Sequence, residues 1–254
     1  MRAEARAAAE SDGRGGTRLT TLRGQSPLLL RRTGPRAIAG VTVHLVGGAA
    51  GPLRGDELRL EIEVGPGARL ELLSVAAQLA LPGRPAPASR LTITATVAAG
   101  GTLRWLPEPL IAAAGCDHVA ITRVTVETGG SLLWRDDLVC GRHGEDSGDF
   151  VADTLVRYGG STLYRHELAV GPRAAGWSGP AILGGARAVG TVVTAGPESM
   201  VPGAAGPDAA VMPLAGPGML ATATGADIRH VRAALDPFCA GHPTARRPGA
   251  PVAA

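Results

Sequence analysis

The chain has 254 residues, of which 45% are hydrophobic and 19% charged, a composition that supports one domain with a sizeable core. The net charge is only +3 although the pI is about 9.1, and acidic residues are spread throughout, which argues against a nucleic-acid partner. All 25 basic residues are Arg, so Schiff-base catalysis and a Lys-dependent phosphate loop are excluded.

The N-terminal sequence MRAEARAAAESDGRGG is rich in Ala, Arg and Gly, which predicts a disordered tail over residues 1–16. It has no apolar core typical of a signal peptide, and no later segment has the length and apolarity of a membrane span. We therefore expect a cytoplasmic protein, with its three irregularly spaced cysteines reduced. The rest is predicted to form one β-rich domain over residues 17–242 and a second disordered tail over 243–254.

The central half of the chain repeats a unit in which a strand pattern meets a glycine-rich break and a second strand follows. The stretches LRLEIEV and LTITATV alternate apolar and polar residues, as strands with one buried face do. The breaks recur about every 30 residues, at a spacing typical of stacked repeats, and are marked by Gly67, Gly101, Gly130 and Gly160. This pattern predicts a mainly β, β-helix-like body of stacked sheets.

The stretch CDHVAITRVTVETGGSLLWRDDLVCGRH, residues 116–143, predicts a β-hairpin with Gly129 and Gly130 as its loop. The apolar phase shifts near Arg123, which leaves open two registers that differ by one bulged residue. Both registers bring thiol and imidazole groups together at one end of the hairpin, from Cys116, His118, Cys140 and His143.

Thiolate and imidazole groups are ligands of Zn, Ni and Cu, and Asp136 and Asp137 on the second strand add oxygen donors. Two interpretations are open for these residues. They form a metal site, or the Cys side chains are small core residues and the His side chains only hydrogen-bond at strand ends.

The last third of the chain has loops rich in Gly and Pro, followed by one helical pattern. Asp227 precedes this pattern and Pro237 is expected to end it. Its apolar positions follow helical spacing, at Ile228, Val231 and Leu235. One short helix over residues 226–236 is predicted.

Three short stretches imitate catalytic signatures and are incomplete. In GGARAVGT, Thr191 stands where a phosphate loop needs Lys. The GWSGP stretch around Ser178 has the wrong glycine spacing for a nucleophile elbow, and EDSGD around Ser147 is only a serine beside acids. With only three Trp, two Tyr and two Phe, the chain also lacks aromatic residues for a sugar-binding cleft, so we expect no enzymatic activity.

Four stretches occur in a characteristic order: VGGAAGPLRGDELRLEIEVGPGARLEL, LRWLPEPLI, SLLWRDDLVCGRHGE and GPAILGGARAVGT. Together they resemble the UreD (UreH) family of urease accessory proteins, in its actinobacterial form, over about residues 17–240. The positions that match the family pattern are Gly55-Asp56, Trp105-Leu106-Pro107, Gly141-Arg142 and Gly144-Glu145.

The resemblance implies a β scaffold without catalysis of its own, which with UreF and the GTPase UreG binds apo-urease and assists nickel delivery. It implies no tightly bound cofactor and leaves room for transient nickel. The acidic and soft residues that are candidates for a transient nickel path are Asp56, Glu61, Glu63, Glu108, Cys116, His118, Asp136, Asp137, Cys140, His143 and Glu145. The candidates for partner contacts are Trp177, Arg229 and Arg232.

Two other function classes stay open at this point. A β-helical hydrolase or lyase would show turnover on a substrate panel, and a stand-alone metal-storage protein would bind metal without activating urease.

Overall fold

The computed structural model describes residues 1–34, 40–197 and 206–241, and this part of the chain forms seventeen β-strands and one α-helix. In chain order they are β1 (Arg2–Ser11), β2 (Thr17–Gly24), β3 (Leu28–Thr33), β4 (Val41–Gly47), β5 (Glu57–Val64), β6 (Arg69–Ser74), β7 (Gln78–Ala80), β8 (Ser89–Val97), β9 (Thr102–Leu106), β10 (Leu110–Ala112), β11 (Asp117–Val126), β12 (Ser131–Cys140), β13 (Asp149–Tyr158), β14 (Ser161–Val170), β15 (Ala188–Ala195), β16 (Ala209–Pro213), β17 (Gly218–Gly225) and α1 (Ile228–Gly241).

The strands form two sheets that face each other. The first sheet has seven strands in the order β14-β13-β11-β8-β5-β1-β2. The second has ten, with the main order β16-β17-β15-β12-β9-β6-β4-β3 and the short strands β10 and β7 beside β12. The predicted fold class is confirmed: the body is a solenoid-like β stack, and α1 packs on β12, β15 and β17 of the second sheet.

Most neighbouring strands of the repeating body are parallel because the chain alternates between the two sheets. β5, β8 and β11 lie side by side in the first sheet, and each passes through a glycine-rich arch to β6, β9 or β12 in the second. Gly129 in the last of these arches has a φ of 87°, a conformation that a side chain disfavours. The arches also bond to one another, since the Gly100 N–H donates to the Gly129 carbonyl at 3.0 Å.

The main core fills the space between the sheets at the arch end. The alternation seen in the sequence is confirmed here, because its apolar positions on β5 and β8 are buried: Leu58, Leu60, Ile62, Val64, Leu91, Ile93, Ala95 and Val97. From the second sheet, Leu103 and Leu132 pack against them. The stacked indoles of Trp105 and Trp134, whose ring centroids lie 5.0 Å apart, complete this side of the core.

The expectation of a disordered tail over residues 1–16 is wrong. β1 occupies Arg2–Ser11 and lies between β5 and β2 in the first sheet. Ala3, Ala5, Ala7 and Ala9 point inward and are buried, so the alanines that suggested disorder are the apolar half of a strand alternation. The second expected tail, residues 243–254, lies outside the described residues.

The expectation of a hairpin over residues 116–143 is also wrong. β11 pairs with β8 and β13 in the first sheet, whereas β12 pairs with β9 and β15 in the second. The four residues 127–130 therefore form an arch between sheets, and neither proposed register exists. The break at Gly160 is the one among the four marked repeats that closes a true antiparallel hairpin, between β13 and β14.

The predicted helix is present with different ends. Asp227 caps it by accepting hydrogen bonds from the backbone N–H groups of Arg229 and His230. The helix then continues past Pro237 to Gly241. Proline removes only one helical hydrogen bond, and the continuation is held because Cys239 beyond it is buried against the second sheet.

The buried alanines of β1 make a test of this strand. Ala7→Asp places an unpaired carboxylate in the core and is expected to lower the free energy of unfolding by about 3 kcal/mol. Arg2→Asp, on the exposed face of the same strand, should cost far less. Urea unfolding followed by circular dichroism measures both, and equal stability of the two variants would show that β1 is not part of the core.

Candidate functional site

A cavity of about 1160 Å³ lies between the two sheets, beyond the packed arch end. Its wall on the first sheet includes Leu58, Leu60, Leu91 and Ile93 of β5 and β8, and then the small inward-facing residues of β11 and β13, which are Ala120, Thr122, Ala152 and Thr154. Closer to the arches the same strands carry Val124, Val126 and Val156, which are buried in the main core. The cavity exists because Ala and Thr side chains are too short to bridge the space that Val fills against larger partners.

The cavity reaches the protein surface. Three of the large apolar residues that line it are exposed: Val75 is 56% exposed, Ile182 48% and Met212 41%. Val75 follows β6, whereas Ile182 and Met212 lie on the side of the edge strands β14 and β16. The interior is therefore open to solvent from different parts of the surface.

Asp136 supplies a carboxylate to the cavity wall of the second sheet. The Trp134 indole N–H donates to its Oδ2 at 2.8 Å, which holds the side chain in place. Burial raises the pKa of Asp136 to about 6, and the hydrogen bond from Trp134 opposes this rise. The carboxyl group therefore has a fixed orientation inside an otherwise largely apolar space.

Two residues of β14 that were not among the sequence candidates, Tyr164 and His166, also line the cavity. Burial raises the pKa of Tyr164 to about 12, and the charge of Asp136 adds to the shift. Partial burial lowers the pKa of His166, so its imidazole is neutral at pH 7 and can donate a lone pair. The signal was present in the sequence: both residues continue the inward alternation of Leu168 and Val170 on the same strand.

The four soft donors of residues 116–143 do not form one cluster. His143 lies on the exposed loop that follows β12. Cys116 and Cys140 are buried in an apolar cluster with Phe150 and Val170. Burial raises the pKa of both thiols to about 11, so they are protonated at neutral pH and are poor metal ligands.

His118 is fully buried at the start of β11, where its ring stacks on Phe150 with centroids 5.9 Å apart. Its Nδ1 lies 2.9 Å from Ser89 Oγ, and that hydroxyl donates to the Asp117 carbonyl. Both side chains are enclosed, so this serine and imidazole pair is out of reach of a substrate. Burial lowers the pKa of His118 to about 4, so the ring is neutral.

The acidic candidates near the start of the repeating body have structural partners. The Asp56 carboxylate is buried and accepts hydrogen bonds from the Leu53 N–H at 2.9 Å and from the amino group of Met1. Glu61 and Glu63 lie on the outer face of the first sheet and pair with Arg6 at 3.9 and 2.8 Å. None of these three carboxylates lines the cavity between the sheets.

Three further acidic candidates form ion pairs elsewhere. Glu145 pairs with Arg142 in the exposed loop after β12. The Asp137 carboxylate points away from the cavity toward α1, and its Oδ2 lies 2.9 Å from Arg135 Nε. Glu108 lines the cavity and lies 2.7 Å from Arg232 Nη2 of α1, so a residue predicted for metal transfer contacts one predicted for partner binding.

The other two partner candidates differ in exposure. Arg229 is one of the most exposed side chains of the helix, with 88% of its side-chain surface accessible. Trp177 lies in the loop after β14 and packs partly against the cluster that contains Leu183. Arg229 is therefore available to a partner as it stands, whereas Trp177 offers only part of its ring.

In residues 1–34, 40–197 and 206–241, no three His, Cys, Asp or Glu side chains are grouped closely enough to hold a metal ion. Donors that line the cavity lie on different elements, with Asp136 on β12, His166 and Glu167 on β14 and Glu108 after β9. Among the same residues, no helix has the length and apolarity needed to cross a membrane.

Comparisons with known proteins agree over nearly the whole chain. A family model described as UreD urease accessory protein matches residues 1–249. A protein of Streptomyces avermitilis named Urease accessory protein UreD is 46% identical over 242 residues, which cover 93% of this chain and 95% of that protein. Proteins of the same name from Frankia alni and Streptomyces coelicolor are 42% and 44% identical, each over 93% of this chain and 93% and 94% of their own length.

The buried neutral imidazole of His118 makes stability depend on pH. Between pH 6.5 and about 4 the unfolded chain binds a proton at this residue and the folded chain does not, so stability falls on acidification. The full shift corresponds to about 3 kcal/mol. We expect His118→Gln to remove this loss when urea unfolding is measured at several pH values in this window.

Asp136 has the opposite effect on the pH dependence of stability. Because its pKa is raised, the folded state takes up a proton at higher pH than the unfolded state does, so acidification stabilises the fold at this residue. Asp136 is present in both the wild type and His118→Gln. The difference between their free energies of unfolding therefore isolates the contribution of the histidine. A difference that does not change with pH would contradict the neutral buried state.

Proposed function

Because the chain belongs to the UreD family of urease accessory proteins, we propose that it binds apo-urease together with UreF and the GTPase UreG and assists delivery of nickel to the urease active site. It has no catalytic role of its own in this proposal. The observation that carries the proposal is the cavity between the sheets, which opens to solvent and contains a half-buried, oriented carboxylate.

The chemistry of the cavity wall suits an ion in transit. Nickel accepts both oxygen and imidazole ligands, and Asp136 and His166 present one of each. The cavity has room for many water molecules, so the ion can keep part of its hydration shell while it contacts one protein group at a time. Separate single donors bind weakly, which allows the ion to leave again.

The absence of a catalytic role is supported by the state of the groups that could react. The Ser89 and His118 side chains lie 2.9 Å apart but are both buried, out of reach of a substrate. The three thiols have raised pKa values because they are buried.

Filling the cavity with larger side chains tests whether nickel passes between the sheets. Ala120 and Ala152 are register partners on β11 and β13, and both face the cavity. We expect Ala120→Phe combined with Ala152→Phe to fill this part of the cavity and to lower nickel-dependent urease activation severalfold when the chain is co-expressed with urease, UreF and UreG.

The matched control places the same two side chains on the outer face of the same strands. Val119→Phe with Val151→Phe changes register partners that point away from the cavity. This control should activate urease like the wild type. If the inward pair also activates normally while circular dichroism and pull-down are unchanged, nickel does not travel between the sheets.

The exposed face of α1 tests partner binding. Arg229→Glu reverses a charge that contacts only the capping Asp227, so the fold should tolerate it. We expect weaker capture of UreF or urease in a pull-down if this face is a docking surface, because rim charges guide association. Arg59→Glu on the outer face of the first sheet is the control, and equal capture by both variants would place the interface elsewhere.

A further inference from the structure

The C-terminal helix α1 is connected to the cavity by one ion pair. Arg232 Nη2 lies 2.7 Å from Glu108 Oε2, and Arg232 Nε lies 3.9 Å from Asp137 Oδ2. Among the ion pairs of the described chain, Arg232 is the one cation that contacts Glu108. The charge of this carboxylate is therefore balanced by a residue that belongs to the helix and not to the β body.

Glu108 lies where the cavity meets the surface. Its side chain is 39% exposed, and it lines the cavity together with Ser74 and the exposed Val75. The Glu108 N–H donates to Ser74 Oγ at 2.8 Å, which fixes the backbone at this opening. The backbone is thus held by the sheet while the carboxylate is held by α1.

The contact between α1 and the second sheet is largely polar around Arg232. Arg135 Nε lies 2.9 Å from Asp137, and Arg135 Nη1 contacts Asp236 of the helix. Three buried atoms of this group have no hydrogen-bond partner among the described residues: Arg135 Nη2, Asp137 Oδ1 and Arg232 Nε. Unsatisfied buried polar groups are costly, so this contact is a weaker attachment than the apolar stripe of Val231 and Leu235.

We propose that Arg232 is a positioning residue that keeps the Glu108 carboxylate neutralised at the cavity opening, so that loss of this contact frees the carboxylate to bind a divalent cation. The inference rests on the proposed passage of nickel through the cavity. It adds that Arg232 of α1 controls the charge available at the cavity opening.

Binding of Ni²⁺ to the isolated full-length chain tests this inference. Trp105 lines the cavity and Trp134 bonds to Asp136, so an ion entering the cavity quenches their fluorescence. A Trp177→Phe background removes the third indole. Arg232→Gln should lower the apparent Kd for Ni²⁺ quenching roughly two- to fivefold, the range expected for one half-exposed ion pair.

Further variants separate positioning from a general change in charge. Arg232→Lys keeps the charge and should restore the wild-type Kd, whereas adding Glu108→Gln to Arg232→Gln should abolish the gain. Gly190→Ala keeps both members of the Arg232–Glu108 pair and displaces the helix, since an added Cβ would lie 2.5 Å from Val231 Cγ1, 2.8 Å from Leu235 Cδ1 and 2.5 Å from the neighbouring Asp137 Oδ1. It should reproduce the effect of Arg232→Gln.

Arg18→Gln is the matched control, because it breaks an Arg to Glu pair of similar length between β1 and β2, away from the cavity. Its Kd should equal that of the wild type. Three results would each overturn the inference without contradicting the proposed nickel passage. The first is a wild-type Kd in both Arg232→Gln and Gly190→Ala. The second is a lowered Kd that persists after Glu108→Gln is added, and the third is an equally lowered Kd in Arg18→Gln. Absence of Ni²⁺ quenching in every folded variant would overturn the passage as well.

Discussion

The separation of the two sheets is the constraint on which the rest of the structure depends. Packed sheets lie about 10 Å apart, and the inward side chains must fill that space. At the arch end they do, with Val, Leu and stacked Trp rings. The arches tie β5, β8 and β11 to the opposite sheet, so the sheets cannot approach each other where the wall changes to Ala and Thr. The cavity is the result of a fixed spacing and a local loss of side-chain volume.

The same spacing explains why adjacent residues of β12 have unrelated roles. Successive side chains of a strand point to opposite faces, so Asp136 enters the cavity while Asp137 and Arg135 lie on the outer face beneath α1. On that face charged groups need cover and partners, and α1 supplies both through Asp236 and Arg232. Buried ion pairs contribute little net stability but favour one orientation. Helix, opening and cavity wall are thus connected through a single strand.

The strands of the repeating body could be predicted from sequence because period-2 alternation is a local property. Pairing was not predictable in the same way: a glycine break looks alike whether it closes a hairpin, as at Gly160, or an arch, as at Gly130, and the difference depends on distant strands. The alanines of β1 were assigned to a disordered tail because the Ala, Arg and Gly content of the segment was given more weight than its apolar and polar alternation. The helix was predicted to end at Pro237, but it continues beyond this residue because Cys239 is buried against the second sheet.

For the candidate site, residue type named possible donors but not which of them water reaches. Cys116, Cys140 and His118 were favoured because thiols and imidazoles are strong ligands, but burial in an apolar end keeps the thiols protonated and the imidazole enclosed. Burial cannot be read from residue type, and a donor is useful to a moving ion only where water reaches it. Among the groups that line the cavity are Asp136, His166, Glu167 and Glu108. Weak, separated oxygen and nitrogen donors favour transfer over storage, because an ion that no single group holds tightly can be passed on.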